Sequence, residues 1–177
     1  MPDILQEAAK AYIGICKHKY VYTLGNGEKI CIVFKPQNFV HLAGLRKLKD
    51  LHEFNPKHTA GNIYNEILNG NITEYDLQRS IHYDTDAKSR IENLCRLEYL
   101  LQTEQVVWGF DAAKTYIHTK LKSSVIFFRD DCFNFYLMLG AVNGGTTYYP
   151  ETFFLRFDDA YIHGQQIVHV EKMEKQK

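Results

Sequence analysis

The spacing of apolar residues changes from helical to strand-like near Val106, and this change constrains the fold more than any other feature of the sequence. Before it, apolar residues recur at helical spacing in five stretches. After it, short apolar and aromatic runs are separated by turn residues. Helices followed by a run of strands are typical of the α+β class. We therefore predict an α+β fold in which a small antiparallel sheet, formed by a C-terminal meander and an N-terminal hairpin, is packed by N-terminal and central helices.

The individual elements follow from the same pattern. Helices are predicted at 3–18, 38–48, 58–68, 73–81 and 84–103, with Asp3 and Thr73 as N-terminal caps. A hairpin is predicted from strands at 20–24 and 29–34, because Asn26-Gly27 favours a tight turn between them. Later strands are predicted at 122–129, 133–139, 148–157 and 166–171. The last residues, 172–177, are expected to form a frayed polar tail.

Length and charge limit the functions that are open to the chain. With 177 residues, 45% of them hydrophobic, it can bury one sizeable core, so we predict a single domain over residues 1–177. Basic and acidic residues are both 21 in number, so no overall field attracts nucleic acid or an anionic membrane. Any contact with RNA therefore has to come from a local patch.

The cysteines and the amino terminus indicate a cytoplasmic location. Four cysteines are widely separated in apolar runs and form no CxxC pair, which predicts reduced, buried thiols: Cys16, Cys31, Cys95 and Cys132. The first residues show no basic region followed by an apolar stretch, and no segment reaches 18 uninterrupted apolar residues. We expect a cytoplasmic protein that does not contact a membrane.

His41 is the first candidate for chemistry. It lies in FKPQNFVHLAGL, residues 34–45, where an extended segment passes into a helix. At about 100 degrees per residue, His41 falls in the same sector of that helix as Leu45 and Leu48. We therefore predict that it faces the interior or a cleft. A core histidine bonded to one backbone carbonyl and a catalytic histidine both fit this placement.

Two groups of basic side chains could bind a phosphate, and for each the alternative is a solvated surface without a ligand. The first group follows His41 in the sequence and contains Arg46, Lys47 and Lys49, with Lys57 and His58 farther on. The second group leads into the strand predicted at 122–129 and contains Lys114, His118, Lys120 and Lys122.

The segment YYPETFFLR, residues 148–156, is a second candidate. Proline within a strand pattern is confined to an edge or a bulge, and both positions present side chains to sites. Thr152 and Arg156 could then approach a cleft. The alternative is an aromatic edge strand in which Pro150 prevents aggregation.

Common metal and nucleotide motifs are absent from the sequence. The histidines lack the i to i+4 spacing of a helical metal pair, and neither GxxxxGK[ST] nor a GxGxxG after a strand occurs. We predict no metal ligand and no cofactor. A metal-free acid–base site, in which a histidine is flanked by cations and hydroxyl groups, is the chemistry that remains.

The two candidate segments together resemble a known family. The order of hairpin, FKPQNFVHLAGL, helical middle with ILNGNIT at 67–73, and YPETFF at 149–154 is similar to phage-barnase-EndoU-colicin-RelE-like nuclease domains of phages and mobile elements. The most specific parts are F-x-H-L-x-G-L and P-x-[ST]-F. The resemblance covers about residues 20–167.

This resemblance implies a metal-independent endoribonuclease of toxin or effector type, which uses the 2'-hydroxyl of RNA to form a 2',3'-cyclic phosphate. His41 matches the family's histidine and Thr152 its hydroxyl residue, which is more often serine, so Thr152 is assigned to hydrogen-bonding a phosphate oxygen. Arg46 is predicted to be the catalytic cation because it is positively charged and close to His41 in the sequence. RNA contacts are predicted for Lys47, Lys122, Tyr149 and Arg156. The expected partners are RNA, with tRNA as one candidate, and an inhibitor or antitoxin protein.

The balanced charge argues against a general ribonuclease, because such enzymes usually benefit from a basic face. Either the substrate is a specific structured RNA or the activity has been lost. The alternative function is a non-catalytic module of a mobile element that binds a protein through exposed aromatic residues such as Trp108, Tyr116 and Tyr161.

Overall fold

The chain folds into two compact units. A computed structural model describes residues 3–130 and 134–177. Residues 1–17 and 34–97 form one unit, here called the helical unit. Residues 18–33 and 98–177 form the other, the barrel unit. Each unit therefore contains two separate stretches of sequence.

The described part of the helical unit contains five α-helices. They are α1 (Ile4–Cys16), α2 (Asn38–Leu42), α3 (Ala60–Leu68), α4 (Glu74–Leu77) and α5 (Lys88–Asn93). Single 3₁₀ turns lie at Leu45–Lys47, His52–Phe54 and Leu94–Arg96, and a π turn lies at Tyr83–Ala87. A further helix, α6 (Leu97–Leu100), begins at the end of this stretch. The helix predicted at 84–103 is thus several short pieces.

Two predicted caps in the helical unit are confirmed. The Asp3 carboxylate accepts a hydrogen bond from the backbone N–H of Gln6 at 2.9 Å, which satisfies a free donor at the start of α1. Its other oxygen accepts from the N–H of Glu74 at 2.7 Å and so ties α1 to α4. Thr73 and Asp76 form a reciprocal capping box at the start of α4.

Aromatic packing places α2 against its neighbours. Tyr12, Phe39 and Tyr64 are almost fully buried, and their ring centroids lie 5.2–6.2 Å apart. Tyr64 also donates its hydroxyl to the carbonyl of Ala9 at 2.7 Å. Burial raises the pKa of Tyr12, so its ring stays neutral. Because Phe39 belongs to α2, this cluster fixes the helix that carries His41.

The barrel unit is a closed sheet of seven strands. In chain order they are β1 (Lys19–Leu24), β2 (Lys29–Val33), β3 (Gln105–Trp108), β4 (Val125–Asp130), β5 (Asn134–Ala141), β6 (Thr147–Arg156) and β7 (Ile167–Gln176). Around the barrel the order is β1-β2-β6-β5-β4-β3-β7. The pairs are antiparallel except for β2 and β6, which run parallel at Cys31↔Thr147 and Ile32↔Tyr148.

The predicted α+β fold with a small antiparallel sheet packed by helices is wrong. The barrel closes because β7 pairs with β3 through its first half and with β1 through its second half. Residues predicted as a frayed tail belong to this strand, with Lys175 opposite Tyr20. Strand pairing uses backbone groups, so polar side chains do not prevent it. Local periodicity carries no information about such distant pairings, and it also missed β3.

The cysteine prediction is correct in part. Cys16, Cys31 and Cys95 are free thiols, as expected. Cys31 is buried and Cys16 half-buried, and burial raises the pKa of Cys16 to about 11. Cys95, however, is exposed. Cys132 and the predicted first residue of the 133–139 strand, Phe133, lie outside the described residues.

Candidate functional site

His41 lies on the exposed side of α2, between buried neighbours. Val40 and Leu42 are fully buried, whereas the His41 side chain is exposed to solvent. The prediction that it faces the interior or a cleft, and with it the core-histidine alternative, is therefore wrong. The helix ends at Leu42, and Gly44 follows with φ 74°, so the helical phase does not continue to Leu45. The predicted orientation of His41 was wrong because it assumed that the helical period of α2 continues through this turn.

The surroundings of His41 favour the neutral imidazole. Its pKa is lowered, first because the ring is partly desolvated and second because the positive charge of Arg46 lies nearby. Among residues 3–130 and 134–177, no side chain or backbone group makes a hydrogen bond to the ring. A neutral histidine with free ring nitrogens can accept a proton from a ligand.

Arg46 is held by backbone carbonyl groups. Its guanidinium donates to the carbonyls of Phe54 and Asn55, each at 3.3 Å, and to that of His58 at 2.8 Å. These bonds fix the loop between the 3₁₀ turn at His52–Phe54 and α3. Arg46 therefore has a clear structural role, and its charge reaches His41 through space rather than through a bond.

Lys47 and Gly44 connect the same segment to the residues before α5. The Lys47 ammonium forms an ion pair with Asp86 at 3.1 Å and is 53% exposed. Gly44 lies so close to that region that a Cβ atom would overlap the carbonyl oxygen of Asp86 and approach Arg90 Cδ to 2.9 Å. The glycine of the F-x-H-L-x-G-L motif is thus needed for packing and for its positive φ.

The helical unit also contains a cleft that the sequence did not indicate. Its volume is about 460 Å³, and its walls include a pair of histidines with ring centroids 5.2 Å apart, His52 and His58. Three asparagines, two glutamates and two isoleucines complete the lining. The paired imidazoles could exchange protons with a ligand in the cleft. The only signal in the sequence was two histidines six residues apart.

In the barrel unit, β6 pairs with both β2 and β5 and contains a bulge, which is one of the two positions predicted for Pro150. Met138 pairs with Thr152 and Leu139 with Pro150, so Glu151 has no partner on β5. The Glu151 carboxylate accepts hydrogen bonds from Ser123, which is buried, and from the Tyr149 hydroxyl at 3.2 Å. The negative charge of Glu151 raises the pKa of Tyr149. The bulge thus joins β6 to the segment before β4.

The remaining predicted residues in the barrel unit have different surroundings. Thr152 is half-buried on β6, and Lys122 is exposed just before Ser123. Arg156 makes two hydrogen bonds of 2.6 Å to the carboxylate of Asp158, whose pKa is lowered by this pairing. A phosphate would have to compete with that carboxylate for Arg156.

The predicted site residues are therefore divided between the units. His41, Arg46 and Lys47 belong to the helical unit, and they lie within one short segment. Lys122, Tyr149, Thr152 and Arg156 belong to the barrel unit, where the Ser123–Glu151 bond links the neighbours of Lys122, Tyr149 and Thr152. Ser123 was not predicted as a site residue, because a serine next to a lysine has no pattern that distinguishes it from a surface residue.

Across residues 3–130 and 134–177, no three histidine, cysteine or carboxylate side chains are grouped so as to hold a metal ion. Within the same ranges, no helix combines the length and apolar character needed to cross a bilayer.

Comparison with known families identifies the class of protein to which this fold belongs. The model of the phage-Barnase-EndoU-ColicinE5/D-RelE like nuclease 4 family matches residues 4–177. The chain belongs to this nuclease family, as its two motifs predicted. Neither the curated proteins nor the solved structures contain a match to it. The family match runs through both compact units, and the predicted single domain over 1–177 stays a prediction.

Proposed function

We propose that this nuclease is a metal-independent endoribonuclease that leaves a 2',3'-cyclic phosphate. The observation that carries the proposal is His41, an exposed histidine in a family motif, whose pKa is lowered and whose ring has no hydrogen-bond partner among the residues that the structure describes. At neutral pH such a histidine is in the form that accepts a proton. RNA supplies its own nucleophile, so the protein needs to provide only a base, an acid and positive charge.

In the proposed reaction, neutral His41 takes the proton of the 2'-hydroxyl. The 2'-oxygen forms a bond to the adjacent phosphorus, and the bond between phosphorus and the 5'-oxygen of the next nucleotide breaks. The leaving 5'-oxygen receives a proton from an acid or from water. Lys47 could move onto the phosphate more easily than Arg46, because its side chain is 53% exposed and forms an ion pair with Asp86, whereas Arg46 donates to three backbone carbonyls. Arg46 contributes charge while it holds the loop.

The barrel unit carries the other proposed contacts. Thr152 is proposed to donate its hydroxyl to a phosphate oxygen, and Tyr149 and Lys122 to bind RNA. Arg156 could do so only after releasing Asp158, so we rank it below Lys122. These roles are tested one residue at a time, separately from that of His41.

The biological setting is proposed from the sequence and from what its resemblance to the nuclease domains of phages and mobile elements implies. A phage or mobile-element effector of toxin type would act in the cytoplasm, with tRNA among its targets. Such a protein would be paired with an inhibitor or antitoxin protein that protects the producing cell.

The first test is cleavage of total RNA and tRNA in EDTA, with mapping of the fragment ends. The wild type should produce cyclic-phosphate ends, and His41→Ala should be about 100- to 10,000-fold slower, because a positioned acid–base group contributes that much. His169→Ala is a suitable control, since His169 is an exposed histidine on β7. A requirement for added divalent metal would contradict the proposal.

The paired histidines of the cleft provide the competing assignment. If His52→Ala and His58→Ala abolish cleavage while His41→Ala does not, the cleft is the active site and the role of His41 is wrong. If the folded wild type cleaves no RNA, the result favours the protein-binding alternative. Of the three aromatic residues named for that alternative, Tyr161 is buried, Trp108 is half-buried and Tyr116 is exposed. Other large apolar side chains that are exposed include Tyr75, Ile81 and Phe157.

A further inference from the structure

Residues 114–122 of the barrel unit form a stripe whose side chains alternate between exposed and half-buried. The exposed members are Lys114, Tyr116, His118, Lys120 and Lys122. The half-buried members are Thr115, Ile117, Thr119 and Leu121. Lys114 ends a 3₁₀ turn, the chain bends at Tyr116 and Ile117, and no strand is assigned to the segment. The alternating exposure is that of a chain lying on a core with every second side chain facing solvent.

The inner side of the stripe holds it in place. Ile117 and Leu121 pack against a buried cluster that includes Val107, Ile126 and Tyr136. The Thr115 hydroxyl is within hydrogen-bonding distance of two carbonyls, those of Ala112 at 2.9 Å and Ile117 at 2.7 Å. The outer side chains are therefore presented from a fixed backbone, which lowers the entropy lost when they bind a ligand.

The outer side of the stripe is basic and aromatic. It contains three lysines and a histidine with no carboxylate between residues 114 and 122, in a chain whose total charge is balanced. Beyond the bend, same-side residues of an extended chain lie about 6.5–7 Å apart, which is the expected spacing from His118 to Lys120 and from Lys120 to Lys122. Tyr116 is 58% exposed, although its hydroxyl donates to Asp159 at 2.8 Å. Lysines in a row with an exposed aromatic ring are the combination that binds single-stranded nucleic acid.

The stripe leads to the segment of β6 that the family resemblance singles out. Ser123, the residue after Lys122, is buried and donates to Glu151 in the bulge. Glu151 also accepts from Tyr149, and Thr152 is the next residue along the strand. A strand of RNA bound along 114–122 would thus be directed towards Tyr149 and Thr152.

We propose that residues 114–122 bind the backbone of single-stranded RNA and guide it to the β6 bulge. This inference rests on the proposed function for the choice of RNA, and it goes beyond that function by naming the surface and the form of the substrate. Lys120 and Lys122 contact neighbouring phosphates, Lys114 contacts a phosphate farther along the strand, and Tyr116 stacks on a base.

The test measures binding of a labelled single-stranded RNA to the full chain carrying His41→Ala, as a function of salt. Each phosphate contact on a single strand contributes about 0.7 to the slope of log affinity against log salt. Lys114→Gln, Lys120→Gln and Lys122→Gln together should reduce the slope by about 2. A tenfold rise in salt should therefore weaken the parent about a hundredfold more than the triple variant.

The control removes the same total charge from exposed lysines elsewhere in the barrel unit, Lys19, Lys29 and Lys172. It should leave the salt slope unchanged. Tyr116→Leu should instead lower affinity at every salt concentration, by about 5- to 150-fold for one stacked base. Equal slopes for the two triple variants, or equal affinity for duplex and single-stranded RNA, would overturn the inference.

Binding and cleavage are measured separately so that the two proposals can fail separately. If the wild type cleaves RNA but the stripe variants bind it like the control, the stripe inference is wrong and the proposed function stands. If the stripe binds RNA with the predicted salt slope but the wild type does not cleave RNA, the stripe inference is supported and the proposed ribonuclease activity is wrong. If the folded protein neither binds nor cleaves RNA, both are wrong.

Discussion

The replacement Gly44→Ala tests whether the motif glycine is structural. Gly44 has φ 74°, and an alanine in this left-handed region costs about 1–2 kcal/mol. The added Cβ would also overlap the backbone carbonyl of Asp86, which cannot rotate away as a side chain could. Overpacking that displaces backbone costs a further 1–3 kcal/mol or so. Gly44→Ala should therefore lower the free energy of unfolding by about 2–5 kcal/mol, which is a large part of the stability of a typical domain.

Gly70→Ala is a closely matched control. Gly70 has φ 78°, lies in the same helical unit, and its added Cβ would approach only the amide nitrogen of Gln6, at 2.9 Å. That amide is the end of a flexible side chain, so it can move aside. Gly70→Ala should therefore cost only the backbone share, about 1–2 kcal/mol.

Urea unfolding followed by far-UV circular dichroism measures both variants, because the signal reports mainly on helices. The difference between the two free energies of unfolding isolates the collision with Asp86. If Gly44→Ala is no less stable than Gly70→Ala, the close approach between the 3₁₀ turn after α2 and the residues before α5 is wrong. A normal stability for both variants would also contradict the left-handed backbone at these positions.

Three further predictions concern pH and hydrogen bonding. In a pH–rate profile, cleavage should rise as His41 loses its proton, with a midpoint below the ordinary histidine pKa. Arg46→Gln removes the nearby positive charge and should move that midpoint to higher pH, whereas Arg46→Lys keeps the charge and should not. The pKa of Asp158 is lowered, so the stability that its carboxylate contributes is fully present above the ordinary carboxyl pKa and is lost as pH falls through the lowered pKa. The difference in Tm between the wild type and Asp158→Asn should therefore vanish in acid. Ser123→Ala removes a buried donor to the Glu151 carboxylate and should cost about 1.5–3 kcal/mol in urea unfolding.

Local features of the fold could be predicted because nearby residues determine them. The Asp3 cap, the Thr73–Asp76 capping box and the bulge beside Pro150 each follow from the chemistry of residues within a few positions. The hairpin of β1 and β2 is also local, with Gly27 at φ 85° in its turn. Such interactions leave a pattern in the sequence that can be recognised without the rest of the molecule.

Closure of the barrel could not be predicted in this way. Between Cys31 and Thr147, which pair in parallel strands, the sequence contains the whole second stretch of the helical unit, residues 34–97. The end of β7 is polar, and its pairing with β1 leaves no apolar pattern at residues 172–177. Because these bonds are formed by backbone groups common to all residues, only the three-dimensional arrangement reveals them.

The F-x-H-L-x-G-L motif shows how structure separates the residues that fold a segment from the one available for chemistry. Phe39, Leu42 and Leu45 are fully buried, and Gly44 is fixed by its φ and by Asp86. His41 alone is exposed, which a helical period carried through Gly44 had concealed. Replacing Phe39 or Leu42 by alanine should therefore cost about 2–5 kcal/mol and reduce activity through unfolding. His41→Ala should leave the urea midpoint unchanged, so any loss of cleavage in that variant measures chemistry rather than folding.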